Sequence, residues 1–244
     1  PNKYKLGLFS QIPLPNWRIS YNGLSKIKWL QPVFTSISLT HGYNSTMTIN
    51  SFQTNLNAEI DANGNTVKKD SLSGNFFANY AIPSVIVNEQ FSPLIGVDIT
   101  FKNNILVRFD YKKSRTLTMS FSDYQMIENK STTITAGLGY TIRGLKMPFK
   151  IKGKKPRLDN DLKFKCDVSY RDGVIINHRV DQFTPQITSG STNITVSPSI
   201  DYVINNRINV RLFVDYNKTI PRISTGYPTT NVKGGLQLRL SLAQ

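Results

Sequence analysis

The chain holds a single cysteine, Cys166, in 244 residues, so neither a disulfide nor a thiolate metal site can form within it. It has only two histidines, His41 and His178, far apart and without the neighbour spacing that metal ligands share, and both read as local hydrogen-bonding groups. No run of 18 apolar residues occurs and mean hydropathy is −0.28, which excludes transmembrane helices. A nucleophile elbow, a Gly-rich phosphate loop and a paired-carboxylate motif are all missing, so nothing points to an enzyme and no cofactor or metal is expected. The opening "PNKYKLGLFSQIPLP" has no apolar stretch of signal-peptide length and no initiator Met, and the expectation is a mature form or a fragment of a longer chain. Acid is scarce as well: 15 Asp and Glu stand against 30 Lys and Arg, a net charge of +15. Such a balance raises nucleic acid as a partner, yet no DNA or RNA recognition module appears, and none is expected to bind.

What the chain has in quantity is alternation. From Ile105 to Phe121 the odd positions are apolar except Lys113 and Arg115, while the even ones include Arg108, Asp110 and Lys112. From Ile134 to Ile142 apolar residues alternate with Thr135, Gly137, Gly139 and Thr141, and Leu162 to Tyr170 alternate with Lys163, Lys165, Asp167 and Ser169. Ile194 to Ile204 follow the same rule against Thr195, Ser197, Ser199 and Asp201. Ile208 to Tyr216 face away from Arg207, Asn209, Arg211 and Asp215, and Val232 to Leu242 face away from Lys233, Gln237 and Arg239. Period two is the signature of β-strands with unlike faces.

A soluble sandwich also has a dry and a wet face, so alternation alone does not choose between architectures. Strand length does. Ordinary strands run about five or six residues, whereas these alternate over membrane-crossing lengths of roughly 9 to 11 residues or more. The connections divide too. Tight ones fall at Lys102-Asn103-Asn104 and Asn205-Asn206, where Asn tolerates the positive φ of hairpin turns, and long polar ones at 122–130, 182–192 and 218–228. Short turns on one side and long loops on the other predict an all-β, antiparallel transmembrane β-barrel.

In that arrangement residues 94–244 hold about seven long strands, at 94–102, 104–121, 131–143, 161–180, 193–204, 207–217 and 229–242. An Arg or Lys on the lipid face near the midplane costs about 2–4 kcal/mol, so the charged sides turn to an aqueous lumen. The expected lumen-facing set is Arg108, Asp110, Lys112, Lys163, Lys165, Asp167, Asp201, Arg207, Asn209, Arg211, Asp215, Lys233, Gln237 and Arg239. Aromatics such as Phe101, Tyr111, Tyr140, Tyr170, Tyr202 and Tyr216 sit near stripe ends, as interfacial girdles would. Residues 1–93 read as further barrel strands with polar loops, at Trp17 to Asn22, Val33 to His41 and Thr46 to Phe52, with a surface excursion over 59–80. The two prolines of "IPSVIVNEQFSPLIG" predict an edge or a loop there rather than a central strand. The densest basic cluster, "RGLKMPFKIKGKKPR", carries Arg143, Lys146, Lys150, Lys152, Lys154, Lys155 and Arg157. It is expected as a periplasmic loop that docks a protein or anionic headgroups, or is simply solvated.

"LPNWRISYNGLSKI" (14–27), "SISLTHGYNST" (36–46), "NEQFSPLIGVDITFKNN" (88–104) and "YKKSRTLTMSFSD" (111–123) resemble the C-terminal region of the SprA/Sov family, the outer-membrane translocon of the type 9 secretion system. The resemblance implies the C-terminal part of a very large outer-membrane barrel in Gram-negative Bacteroidota, tied to gliding motility in some of them, that passes folded cargo proteins to the cell surface. It implies as partners the remainder of the same barrel protein, a PorV-like shuttle barrel, a periplasmic plug protein, secreted cargo and outer-membrane lipid including lipopolysaccharide. The ending "RLSLAQ" lacks the terminal aromatic of many single-chain barrels. Two other classes stay open on the residues alone: the C-terminal strands of a TonB-dependent importer, and a soluble β-sandwich that binds partners at a cell surface.

Overall fold

The computed structural model describes residues 14–122, 124–143, 161–179, 184–205, 208–223 and 226–240. They form one nine-stranded antiparallel sheet and no α-helix. Its strands are β1 (Trp17–Tyr21), β2 (Phe34–Asn50), β5 (Ser84–Phe101), β6 (Ile105–Ser120), β7 (Gln125–Ile142), β8 (Leu162–Arg179), β9 (Gln186–Asn205), β10 (Ile208–Pro221) and β11 (Thr229–Leu240). A short pair, β3 (Gln53–Thr54) and β4 (Tyr80–Ala81), closes the base of the excursion between β2 and β5. Each long strand pairs with its neighbour in sequence, and among the described residues no pairing joins β1 to β11, so the sheet has two edges.

Most strands are longer than the alternation predicts, and the loops correspondingly shorter. The expected loop 122–130 is a turn, because β7 already begins at Gln125 and pairs with Ser120. Polar residues there, such as Glu128 and Asn129, belong to the ladder. β9 likewise begins at Gln186 and β10 runs on to Pro221, inside the expected loops 182–192 and 218–228. Polar composition misled here because a strand with polar residues on both faces no longer alternates in hydropathy. The long strands expected at 104–121 and 161–180 are single strands, and Arg171-Asp172-Gly173 makes no turn. Val33 to His41 and Thr46 to Phe52 are one strand, β2, not two.

The largest correction concerns "IPSVIVNEQFSPLIG". It is the central strand β5, paired along its length with β2 on one side and β6 on the other, and it crosses the expected boundary at 93/94. Pro93 is tolerated because it sits in a bulge: Phe91 opposes Lys113 and Ile95 opposes Tyr111, four steps along β5 against two along β6. Opposite β2, Phe91 pairs with Tyr43 and Gly96 with Thr40. A slip of two residues keeps every side chain on its original face, whereas a slip of one would invert them. His41 Nδ1 lies 2.7 Å from the carbonyl oxygen of Leu94, a hydrogen bond to a bulge carbonyl that the ladder leaves open.

At the Lys102-Asn103-Asn104 turn Asn104 has φ of 64°, the left-handed conformation that Asn accepts. β9 and β10 meet at the pair Asn205 and Ile208, and residues 206–207 lie outside the described residues. The excursion is built from two Asx-anchored turns: Asp61 Oδ1 accepts the N–H of Asn63 and Asn65, and Asp70 carboxylate oxygens accept the N–H of Leu72 and Ser73. Gly64 and Gly74 supply the positive φ at these turns.

Candidate functional sheet faces

Reading the ladder across the sheet gives rows of side chains on a common face, two residues apart along each strand. On one face five successive rows are apolar. The first is Ile142, Leu162, Tyr202, Val210 and Leu238; the second is Ile105, Tyr140, Phe164, Ile200, Leu212 and Leu236. The third carries Ile99, Val107, Leu138, Cys166 and Pro198; the fourth Val97, Phe109, Ala136, Val168, Val196, Tyr216 and Val232. The fifth holds Ile95, Tyr111, Ile134, Tyr170, Ile194 and Lys218. This face is bare within the chain: Leu138 is 47% exposed, Leu212 49% and Leu236 71%.

The opposite face carries the charges. Asp98, Arg108, Gly137, Asp167 and Ser197 form one row, and Asp215 pairs with Lys233 farther along the sheet. Thr141, Lys163, Asp201, Arg211 and Gln237 form another, and Leu106, Gly139, Lys165, Ser199 and Phe213 lie between them. Asp110, Lys112, Asn209 and Arg239 sit at the same parity as these rows. The register therefore gathers every described residue of the expected lumen set on one face. Arg207 lies outside the described residues, as do Lys146, Lys150, Lys152, Lys154, Lys155 and Arg157 of the basic loop. Arg143 is described, with Nε 3.9 Å from Asp161 Oδ2.

Opposite charges neutralise one another along this wall. Arg108 Nε donates to Asp98 Oδ1 at 2.7 Å, and Arg211 Nε stands 3.7 Å from Asp201 Oδ1. Gly137 separates Arg108 from Asp167, and a Cβ there would come within 2.5 Å of Asp167 Oδ1. Farther along, hydroxyls and amides are mixed with charges: Asp110, Thr135, Ser169, Thr195, Asn217 and Asn231 make one row, Lys112, Thr133, Arg171, Asn193 and Thr219 the next, and Gln90, Ser114, Ser131, Gly173 and Ser191 the one after. Such a surface holds water and has few apolar handles.

Sequence reasoning missed a third region, where the apolar face continues past its fifth row. There Glu89 and Arg115 pair directly across β5 and β6, each 2% exposed. Arg115 Nε donates to Glu89 Oε2 at 2.9 Å, with Nη2 on the same oxygen, and Tyr43 Oη donates to Glu89 Oε1 at 2.7 Å. Tyr43 in turn stacks on Trp17 of β1 with ring centres 4.6 Å apart, and the backbone N–H of Leu14 reaches its hydroxyl. Glu128 Oε2 is 2.9 Å from Lys130 Nζ and 3.3 Å from His178 Nε2. Arg222 reaches across β9 to hold Asp172 of β8 through Nε at 3.0 Å and through Nη2. Around these pairs Val85, Val87 and Leu117 form a small core with Ile82, Met119 and Met126. The signal was present in Lys113 and Arg115, which break the apolar alternation; the partner Glu89 was hidden by reading its strand as a loop.

Among the described residues no group of His, Cys, Asp and Glu is placed to hold a metal ion. No family model matches the chain, and no curated protein matches it.

Proposed function

We propose that this chain is a segment of an outer-membrane β-barrel wall whose apolar face meets lipid and whose charged face lines a wide aqueous channel for proteins. The observation that carries the reading is the apolar belt itself. Five rows at two residues each span about 27 Å along the strands, or about 21 Å of height at a tilt of about 40°, near the roughly 25 Å band of outer-membrane barrels. A face so apolar needs a non-aqueous neighbour, and the strands run on well past the belt, as barrel walls with outer projections do. The two open edges support a barrel completed by other strands of the same protein, since an unpaired edge in lipid leaves backbone groups unsatisfied.

The finer reading is the C-terminal part of a type 9 secretion translocon of the SprA/Sov kind, working with a PorV-like shuttle, a periplasmic plug and folded cargo, in the outer membrane of a Gram-negative bacterium. It rests on the stretches quoted above and on the hydrated, apolar-poor wall. The test is reconstitution of the full-length protein in planar bilayers with and without its plug partner. Removal of the plug should open conductance far above that of a ligand-gated importer. Small, ligand-dependent conductance would favour a TonB-dependent importer, and loss of heat-modifiable migration on a detergent gel would sink the barrel itself.

A further inference from the structure

The charged face is not uniform along the strands. Toward the tight turns acids and bases are interleaved, with Asp98 opposite Arg108, Asp201 opposite Arg211 and Asp215 opposite Lys233. Past the row of Asp110, no described residue of the sheet on this face is acidic, out to the far ends of β2 and of β5 to β9. Asp123 and Asp181 lie outside the described residues. Bases do continue. Arg18 of β1 pairs with Gly42, whose neighbour Tyr43 lines up through Phe91 with Lys113, and Lys112 lines up through Thr133 with Arg171 of β8. Arg18, Lys112 and Arg171 therefore share one row, and none of them forms an ion pair among the described residues.

Two of these cations stand in recesses of the wall. Arg18 lines one of about 410 Å³ with Asn16, Asn44, Gln90 and Ser92 around Gly42. Arg171 lines another of about 350 Å³ with Asn129, Asn193, Ser189 and Ser191 around Gly173, where a Cβ would meet only backbone oxygens, at 3.8 Å and beyond. Arg171 Nε donates to Ser131 Oγ at 3.2 Å, which ties the guanidinium to this wall.

Resting on the channel reading above, we propose that these acid-free rows are a docking strip for acidic polypeptide, the carboxylate-rich stretches of proteins inside the channel. In the interleaved rows an arriving carboxylate meets an Asp beside every base. Along the strip only Asp110, one row from Lys112, competes; Asp167 stands four residues before Arg171 on β8, about 13 Å away and past a Debye length. Asn and Gln side chains both donate and accept, which matches the peptide groups that flank such carboxylates. From Arg18 to Arg171 is five strand spacings, about 24 Å along the sheet, with Lys112 between them. An extended segment of about seven residues spans that distance. The strip is collective, and no one of its cations has to dominate.

The test uses the full-length protein purified in detergent and a fluorescein-labelled oligoglutamate peptide, with oligolysine for comparison, read by fluorescence anisotropy at physiological ionic strength. An exposed charge pair is worth about two- to fivefold in affinity, so R18Q/K112Q/R171Q should weaken oligoglutamate binding by about 10- to 100-fold. K163Q/K165Q/K233Q removes the same net charge from the interleaved rows and should change binding by about twofold or less. N129D/T133D keeps all three cations, adds acids among them and should also weaken binding, so it decides alone if the first triple fails to fold. Full binding by folded R18Q/K112Q/R171Q or by N129D/T133D overturns the strip. Equal weakening by both triples overturns it too, because net charge alone would then explain the effect, and so does a parent that holds oligolysine as tightly as oligoglutamate. Selective oligoglutamate binding by a protein that gives no conductance in planar bilayers leaves the strip standing and sinks the channel. Wide conductance without oligoglutamate binding does the reverse.

Discussion

One continuous face of the sheet solves two different problems. Over its first five rows it is largely apolar and uncovered; beyond them, on β5 to β8, it buries charged pairs beside a small apolar core. Leu236 is 71% exposed, while Glu89 and Arg115, charged residues on the same face, are 2% exposed. In water the first region would be costly and the second merely unusual. Lipid against the first, as proposed above, would make the first reasonable, and its own ion pairs make the second so. Buried charges persist only when paired, and here every one has an opposite charge or a hydroxyl within reach. On the membrane reading proposed above, the contrast would mark the height at which the wall leaves hydrocarbon, and no element boundary marks it, since β5 to β9 pass straight through.

The largest expected effect breaks the buried half. Glu89→Leu leaves Arg115 without its carboxylate, and stranding one member of a buried pair costs about 3–5 kcal/mol. The outer part of β5 and β6 should then become sensitive to added protease on whole cells. Glu89→Leu combined with Arg115→Leu should recover most of the protection, because two apolar groups of similar bulk remove both charges. A single variant as resistant as the double would mean that the pair is not truly dry. The apolar half is next: if it meets lipid as proposed, Leu236→Arg, Leu238→Arg or Val210→Arg should each cost about 2–4 kcal/mol and lower the folded protein in the outer membrane. Gln237→Arg and Thr135→Arg, on the other face, should assemble normally. Equal loss from both sets would show that the faces are exchanged.

The apolar half was legible in the sequence because a side that stays apolar while the other stays polar leaves period two intact. Ile208 to Tyr216 and Leu162 to Tyr170 could be placed face by face, and the register unites their charged neighbours as expected. Beyond the belt both faces carry polar groups, so Asn129, Thr192 and Thr219 look like loop residues although they sit in ladders. Pro93 hid β5 for another reason: the bulge that accommodates it depends on the registers of both β2 and β6, which no local pattern reveals. The pairing of Glu89 with Arg115 is a contact across 26 positions, and only the register brings it together.

A smaller effect probes how the outer half is stitched. The Arg222 side chain crosses directly over Gly190 to reach Asp172, and a Cβ at Gly190 would meet the Gly173 carbonyl oxygen at 2.8 Å and Arg222 Cδ at 3.1 Å. Gly190→Val should therefore push Arg222 off its carboxylate and cost about 1–3 kcal/mol by overpacking. Faster hydrogen exchange should appear at the outer ends of β8 and β9, with the belt rows unaffected. Exchange that rises equally in both halves would join regions that the contrast holds apart.

The smallest effect belongs to the charged wall. Arg211 and Asp201 are 3.7 Å apart, with the Arg211 side chain half exposed, and such pairs contribute about 0–1 kcal/mol. Arg211→Gln should therefore leave assembly unchanged. Its neighbours Lys163 and Gln237 stay on the same row, so the wall remains hydrated and mixed in sign. If the wall is a passive lining, cargo export measured as secreted protein per cell should change by less than the scatter between cultures. The same holds for Lys165→Gln and Asp215→Asn, since no single group on this face is uniquely placed. A lone substitution that stopped export while the barrel stayed folded and inserted would make this face a recognition surface, and the division of labour between its two sides would have to be redrawn around that residue.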